Sequence, residues 1–489
     1  MLILLVAAKS SDMRHQPVAP LGLLAIATHI NTSKHKCIIF DRNIEKISLK
    51  KEIERIKPDI VGISAFTGKM LKDVLYVSQI AKKHNLPVVL GGVHASLLPH
   101  QTLDNKSIDY VVVGEGEATT MDLLDALENK RSLYTVDGLA FIDNGKVIVN
   151  KERKFIDLSE YPITDWTLVK GYKYYQGMGN SKRLLRIYTS KGCPGNCTFC
   201  YNQSFHKRTW RGRTPQQILD QVKLLIQLYS VDGIGFIDEL WSMSKERVFE
   251  ICDLFLRNNI KISWYFNARV DQYNKEDLKT LYKAGCRWIL FGIESGCNDI
   301  LKMIKKGIRL ENVSQMFQYC NDIGISTIAS FMIGFPGETE QNLKETIDYA
   351  LSLDATYYDF TRYMCYPGTE LYKYAVDNGL FEEPKTMQEW AKISSWDRIY
   401  INMTKVTKTE LTVINNYFAW LSIKGMTKRD QKGTFFGYLR NMFRQISFKS
   451  IANSFYTFYE LIYILSSILL HPRIRIKYSL NNKNKKILK

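Results

Sequence analysis

The chain has 489 residues, of which 45% are hydrophobic and 24% charged. That length exceeds one ordinary domain, and the apolar share excludes a disordered chain. The net charge of +18 is uneven: residues 401–489 hold 16 Lys+Arg against 3 Asp+Glu, which leaves only +5 on the first 400. Six of the nine cysteines are scattered, so no disulfide framework is implied and a reducing compartment fits.

The start, Met1-Leu-Ile-Leu-Leu-Val, lacks a basic n-region and reads as a first strand rather than a signal peptide. Short apolar runs then alternate with amphipathic stretches. Strands are expected at Leu2–Val6, Cys37–Phe40, Asp59–Ile63, Pro87–Leu90 and Tyr110–Val113. Helices are expected at Pro20–Ile30, Ile47–Ile56 and Leu71–Lys83. This alternation predicts right-handed βαβ units on a parallel sheet, with ligands at the carboxyl ends of the strands. Glycines stand at several of those ends: Gly91-Gly92 and Gly114-Glu-Gly116.

Residues 131–185 read as a linker, with a tight hairpin at Asp143-Asn-Gly145. From Leu185 the βα alternation resumes. Strands are expected at Leu185–Tyr188, Gly233–Asp238, Ile262–Phe266, Trp288–Phe291 and Ile328–Ile333. Such a run predicts a partial βα barrel with its functional groups at the strand ends.

The first of these strands feeds Cys193, Cys197 and Cys200, spaced C-x3-C-x2-C. A [4Fe–4S] cluster normally takes four thiolates, so three leave one iron open. A zinc site wants four ligands, usually in two pairs; His206 is the candidate fourth.

Cys193, Cys197, Phe199 and Cys200 match the C-x3-C-x-aromatic-C signature of radical S-adenosylmethionine (SAM) enzymes. Over roughly residues 1–375 the chain resembles the branch of that family carrying an N-terminal cobalamin-binding domain. The fold implied is α/β: a doubly wound, Rossmann-like cobalamin-binding domain (1–130), the linker (131–185), a partial (βα)6 radical SAM barrel (186–400) and a basic helical C-terminal region (401–489). The cofactors implied are a [4Fe–4S] cluster, SAM and cobalamin. In that family the open iron chelates SAM, and one electron releases a 5′-deoxyadenosyl radical.

The resemblance assigns SAM contacts to Phe199, Asp238, Glu239, Arg269, Glu294 and Gly334. It assigns cobalamin contacts to Pro20, Leu21 and Gly22 at the first helix, and to Ser64 and Thr67 after the third strand. Further cobalamin contacts fall on Gly91, Gly92 and His94 after the fourth strand and on Gly114, Glu115 and Gly116 after the fifth. His94 either lines the cofactor or caps the following helix. Proteins that supply a histidine to cobalt carry D-x-H-x-x-G after the first strand. Here Asp12 and His15 are three apart and no glycine follows in place, so no such ligand is expected. Cys297 and Cys365 are expected to be packed rather than reactive.

After residue 400 the resemblance ends. Phe455, Phe458, Ile462, Leu465 and Leu469 recur at helical spacing between basic flanks, including Arg440, Arg444 and Lys449 before and Arg473, Arg475 and Lys477 after. The apolar stretch is shorter than the about 20 residues a span needs. It reads either as an interfacial helix on an anionic membrane or as a helix packed on the barrel.

The activity implied is transfer of a methyl group to an unactivated carbon of a small-molecule or lipid-like substrate. Related outcomes are cyclisation, oxidation or rearrangement. A tRNA methylthiotransferase would carry three more cluster cysteines near its N-terminus, whereas only Cys37 precedes Cys193, so nucleic acid is not expected as a partner. A non-catalytic cobalamin sensor is the remaining alternative. An external donor such as flavodoxin or ferredoxin, and a cytoplasmic or inner-membrane-face location, complete the expectation.

Overall fold

The computed structural model describes residues 1–9, 17–393, 401–429 and 465–480, without the side chains of 423–429. The loop with Asp12 and His15, the basic flank Arg440 to Lys449, Phe455, Phe458, Ile462 and the tail from Asn481 lie outside the described residues.

The first sheet holds β1 (Leu2–Ala7), β2 (Lys36–Asp41), β3 (Ile60–Ser64), β4 (Val88–Gly91), β5 (Tyr110–Val112), β6 (Leu139–Asp143) and β7 (Lys146–Val149). Its order is β2-β1-β3-β4-β5-β6-β7. The first five strands are parallel, and the β6–β7 hairpin adds to the free edge of β5 in antiparallel sense. Asn144 and Gly145 both adopt positive φ (47° and 74°), the geometry that closes a two-residue hairpin. The hairpin lies in the stretch read as a linker, yet it extends the first sheet. The order 2-1-3-4-5 switches direction between β1 and β3, which places the ligand crevice at Ala7 and Ser64.

The second sheet follows in the order β16-β15-β14-β13-β12-β9-β8. Its members are β8 (Gln176–Met178), β9 (Ser181–Ile187), β12 (Gly233–Phe236), β13 (Ser263–Ala268), β14 (Cys286–Glu294), β15 (Ser326–Ile333) and β16 (Tyr357–Arg362). Six strands are parallel and only β8 is antiparallel. The sheet stays open, with β8 and β16 at its edges, so it is a partial barrel. A two-stranded ribbon, β10 (Ser190–Lys191) with β11 (Arg211–Gly212), stands beside the cysteine loop.

The crossover helices start on local signals. Thr214 and Gln217 cap helix Pro215–Tyr229 reciprocally, with Pro215 in its first turn. Asn274 with Asp277 and Thr339 with Asn342 repeat the device. Edge strand β16 is covered by helix Lys408–Arg429, where Phe418 stacks on Phe360 at 3.8 Å. Tyr358 and Phe360 therefore face outward and Asp359 faces the inside of the sheet.

The two sheets share their cores. One apolar cluster joins Val6, Ile63 and Leu90 of the first sheet to Ile300, Phe335 and Trp390 of the barrel. Another joins Leu21 and Leu24 to Trp166, Leu185 and Phe236. Beyond the barrel, Lys477 pairs with Glu340 (2.6 Å) and Glu410 (2.7 Å), and Tyr478 is fully buried. Residues 472–480 thus dock on the barrel, while Leu469, Leu470 and Ile476 remain exposed. No helix among the described residues is long and apolar enough to cross a membrane.

Candidate cluster and cofactor site

The cysteine loop is built around two glycines. Gly192 has φ +82°, and a Cβ there would lie 2.0 Å from the Thr209 carbonyl, so the loop and the ribbon turn touch backbone to backbone. Gly195 donates its N–H to Cys193 Sγ at 3.4 Å. A Cβ on it would sit 3.3 Å from Cys193 Sγ and 4.0 Å from Cys197 Sγ, so any side chain would fill the space between two sulfurs. The third cysteine follows from a tight turn, Cys200 N–H donating to Cys197 O at 3.0 Å. Thr198 is pinned from both sides: it donates to Ile304 O, and its own carbonyl accepts from Leu371 N–H.

This donor set fits a cluster better than one ion. Thiolates sharing a zinc at about 2.3 Å would lie about 4 Å apart. Among the described residues, the only set of three or more ligand atoms that converges within 4.8 Å is that of His35, Asp125 and Glu128, not the three sulfurs. Burial pushes the Cys200 thiol up to about 12 and raises Cys197, and neighbouring sulfurs add to both. Burial therefore opposes ionisation of Cys197 and Cys200, and a positively charged group bound to the sulfurs would reverse that. His206 is engaged elsewhere, which removes the zinc reading.

The strand ends bring further groups to the loop. At β12 the acid pair divides its work. Asp238 is fully buried, and both its oxygens accept from Thr189, at 2.6 Å from the N–H and 2.7 Å from Oγ1. Burial raises it to about 6. Asp238 thus anchors the chain leading into the loop. Glu239 keeps an accessible edge; it accepts the Gly192 N–H at 3.3 Å and lies 3.5 Å from His206 Nε2.

At β13, Arg269 meets Asp271 and the carbonyls of Lys306 and Gly307. At β14 a register shift falls at Glu294, whose φ is +70°, an unusual backbone state for a residue with a side chain. Its carboxylate folds back over Gly292 onto Lys306 Nζ at 2.8 Å, both side chains being nearly buried. Burial alone would lower the Lys306 ammonium; Glu294 and the Cys197 sulfur reverse that and raise it. Lys306 and the Arg269 guanidinium therefore lie on the Cys197 side of the loop, where a carboxylate ligand would be received. At β15, Gly334 (φ +93°) donates to the buried Glu338 at 2.7 Å, and Phe335 beside it meets Phe199 at 6.3 Å.

Lys306 was not singled out in the sequence; the signal was a Lys305-Lys306-Gly307 turn closing a short helix. Asp359 was also missed, because aromatic and polar residues alternate through β16, which was not read as a strand. It has no hydrogen-bond partner among the described residues, and burial lifts its carboxyl to about 6. Cys297 (accepting from Asn342) and Cys365 (beside Tyr363) are buried and packed, as expected.

The cobalamin assignments divide. Gly114 (φ +86°) and Gly22 each face open space, as a cradle for a large ligand requires. Beyond Ser64 at the switch point, Phe66 stays 47% exposed and meets Tyr201, the residue after Cys200, at 6.2 Å. The carboxyl ends of the first sheet thus look onto the cysteine loop. Pro20 and Gly91 serve the backbone, their carbonyls accepting from Leu24 N–H and Ala65 N–H. Other assigned residues are used by the protein itself. His94 is fully buried between Thr67 (3.2 Å) and Trp390, and burial holds it neutral, near 4. His94 and Thr67 thus sit at the seam between the sheets. Leu21 belongs to the shared core, and Gly92 and Gly116 are closed by Ala65 O and Ile26. Glu115 is taken by Arg211 and His206. Gly22, Gly114 and Phe66 are what remains open for a ligand at the strand ends.

Comparison with known proteins agrees. Residues 187–350 match the Radical SAM superfamily and residues 13–124 the B12 binding domain. The chain is 34% identical over 387 residues to an uncharacterized methyltransferase of Pyrococcus horikoshii, covering 78% of this chain and 82% of that one. It is 28% identical over 367 residues to an anaerobic magnesium-protoporphyrin IX monomethyl ester cyclase of Rubrivivax gelatinosus, covering 72% and 66%. Its fold is that of the radical SAM methyltransferase TsrM of Kitasatospora setae, with a TM-score of 0.65 at 19% identity over 77% of this chain and 75% of that one. The chain therefore belongs to the radical SAM enzymes that carry an N-terminal cobalamin-binding domain.

Proposed function

We propose that the protein transfers a methyl group to an unactivated carbon of a small-molecule or lipid-like substrate, using a [4Fe–4S] cluster, SAM and cobalamin. The observation that carries this reading is the juxtaposition at Phe66 and Tyr201: the cysteine loop and the open strand ends of the first sheet face one space. When bound, the cluster supplies an electron for cleaving SAM and cobalamin supplies a transferable methyl group.

The chain's own residues do the rest. Cys193, Cys197 and Cys200 hold the cluster. Lys306 and Arg269 present positive charge beside Cys197 for the SAM carboxylate. Glu239 keeps an acceptor at the loop entrance for the SAM ammonium. Phe66, Tyr201 and Tyr366, whose rings meet edge to face, keep water from the reacting space. Asp359, inside the sheet and unpaired, is offered to a donor group on the substrate.

Cobalamin titration into anaerobically reconstituted protein tests the reading. One tightly bound equivalent and methylation of an acceptor are expected; an intact cluster with no cobalamin binding would overturn it. The cyclase relative favours a second outcome, ring closure, which product mass distinguishes: methyl transfer adds 14 mass units for the methyl that replaces hydrogen, and ring closure does not. A methylthiotransferase reading is not supported, since Cys37 is the only cysteine before Cys193 and is buried in β2.

The reductant proposed is a flavodoxin or ferredoxin. The location proposed is the cytoplasm, in keeping with nine free cysteines. The exposed Leu469, Leu470 and Ile476 beside Arg473 and Arg475 support contact with an anionic membrane surface. Protein lacking residues 465–489 is then expected to lose co-sedimentation with phosphatidylserine vesicles, which the full chain shows at low salt; equal sedimentation would exclude this contact.

A further inference from the structure

His206 sits where the two halves of the site meet. Its ring is buried, with Nδ1 3.2 Å from Glu115 Oε1 and Nε2 3.5 Å from Glu239 Oε1. Glu115 follows β5 of the first sheet, and Glu239 follows β12 of the second. One imidazole thus spans the loop assigned to cobalamin and the acid assigned to SAM.

The other charged groups around it are accounted for. Lys191 on β10 pairs with Glu117 (2.5 Å) and Glu115 (3.5 Å), and Arg211 on β11 pairs with Glu115. Phe205 and Phe155 wall the ring at 4.8 and 6.3 Å, and Phe155 also lies under the Arg211 guanidinium at 4.3 Å. Lys207 and Arg208, next in the chain, both adopt left-handed backbone (φ 50° and 58°). L-residues disfavour that state, so the turn presenting His206 is held there by its surroundings.

A neutral imidazole donates from one nitrogen only and turns a lone pair toward the second carboxylate. Facing two acids at ion-pair distance, with no aligned hydrogen bond from Nδ1, the ring attracts both only as the imidazolium. We propose that His206 is a positioning residue which ties the loop after β5 to Glu239, fixing the separation of the cobalamin and SAM sites.

The sign of the pH dependence follows. Burial lowers the His206 pKa, but Glu115 and Glu239 outweigh it and the pKa stands above its ordinary 6.5. The tie is complete below 6.5 and is lost as pH rises through the folded value. Burial opposes ionisation of both acids, yet their cationic neighbours keep each below 4.5, so they stay charged throughout this window.

The inference rests on the cofactor assignment above, but its first test needs no cofactor. Hydrogen exchange of the full-length protein is followed at residues 113–117 and 206–212, corrected for intrinsic rates. Protection in the wild type is expected to fall about tenfold between pH 6 and pH 9. His206→Gln is expected to show low protection at both, and His206→Lys, charged throughout, high protection at both. Unchanged wild-type protection, or a His206→Lys protein matching His206→Gln, would overturn the proposal; the wild type alone decides if His206→Gln does not fold. Hydroxocobalamin affinity is expected to weaken in parallel, by about tenfold, in the wild type only. Absence of cobalamin binding at every pH would remove the proposed function and leave the exchange result to decide on His206.

Discussion

Cys197→Ala is expected to yield folded protein that assembles no [4Fe–4S] cluster and forms no 5′-deoxyadenosine from SAM. The fold should survive because the loop is held by backbone: Thr198 and the Cys200 N–H to Cys197 O bond stay in place. A thermal melt should therefore show only an ordinary substitution cost of about 1 kcal/mol. The cluster should not survive, since Cys193 and Cys200 would be left to hold four irons with two thiolates. Iron and acid-labile sulfide analysis after reconstitution checks this directly. Four irons per chain in the variant would mean that the triplet is not the ligand set.

Lys306→Met is expected to cost about 3–5 kcal/mol, because it strands Glu294 in a nearly dry position with its charge unanswered. Glu294 cannot turn to water easily: its backbone is fixed at φ +70° by the shift in register between β14 and β15. The double variant Lys306→Met with Glu294→Gln should recover most of that loss, since removing both charges relieves the desolvation. Denaturant titration of the two singles and the double gives the coupling. SAM affinity should fall in all three, because each changes the positive charge beside Cys197 or its orientation. A single Lys306→Met protein as stable as wild type would show that the pair is solvated and that Lys306 does not shape the site.

The sequence displayed whatever is written in periodicity or in spacing. Five of the six parallel barrel strands are legible because their apolar runs announce themselves; Tyr357–Arg362 is not, since aromatic and polar residues alternate through it. The three cysteines could be named because their spacing is local. The acid pair Asp238-Glu239 shows the limit. Neighbours in sequence point to opposite sides of a strand end, and only packing decides that Asp238 turns inward to Thr189 while Glu239 faces the loop. His94 was likewise undecidable, because its environment is made by Trp390, almost three hundred residues away. His206 owes its role to Glu115 and Glu239, which no window of sequence contains, and Lys306 meets Glu294 only because the chain folds back at the end of β14.

The shared cores have a consequence for how such a chain can change over time. Leu21 and Leu24 complete a cluster whose other members are barrel residues, and Trp390 completes one that begins in the first sheet. Neither half is a cassette. A graft that carried a foreign first half onto this barrel would have to bring matching side chains along both seams, so the halves are constrained to diversify together. New chemistry would then arise most readily where neither seam reaches, as on the inner wall around Asp359.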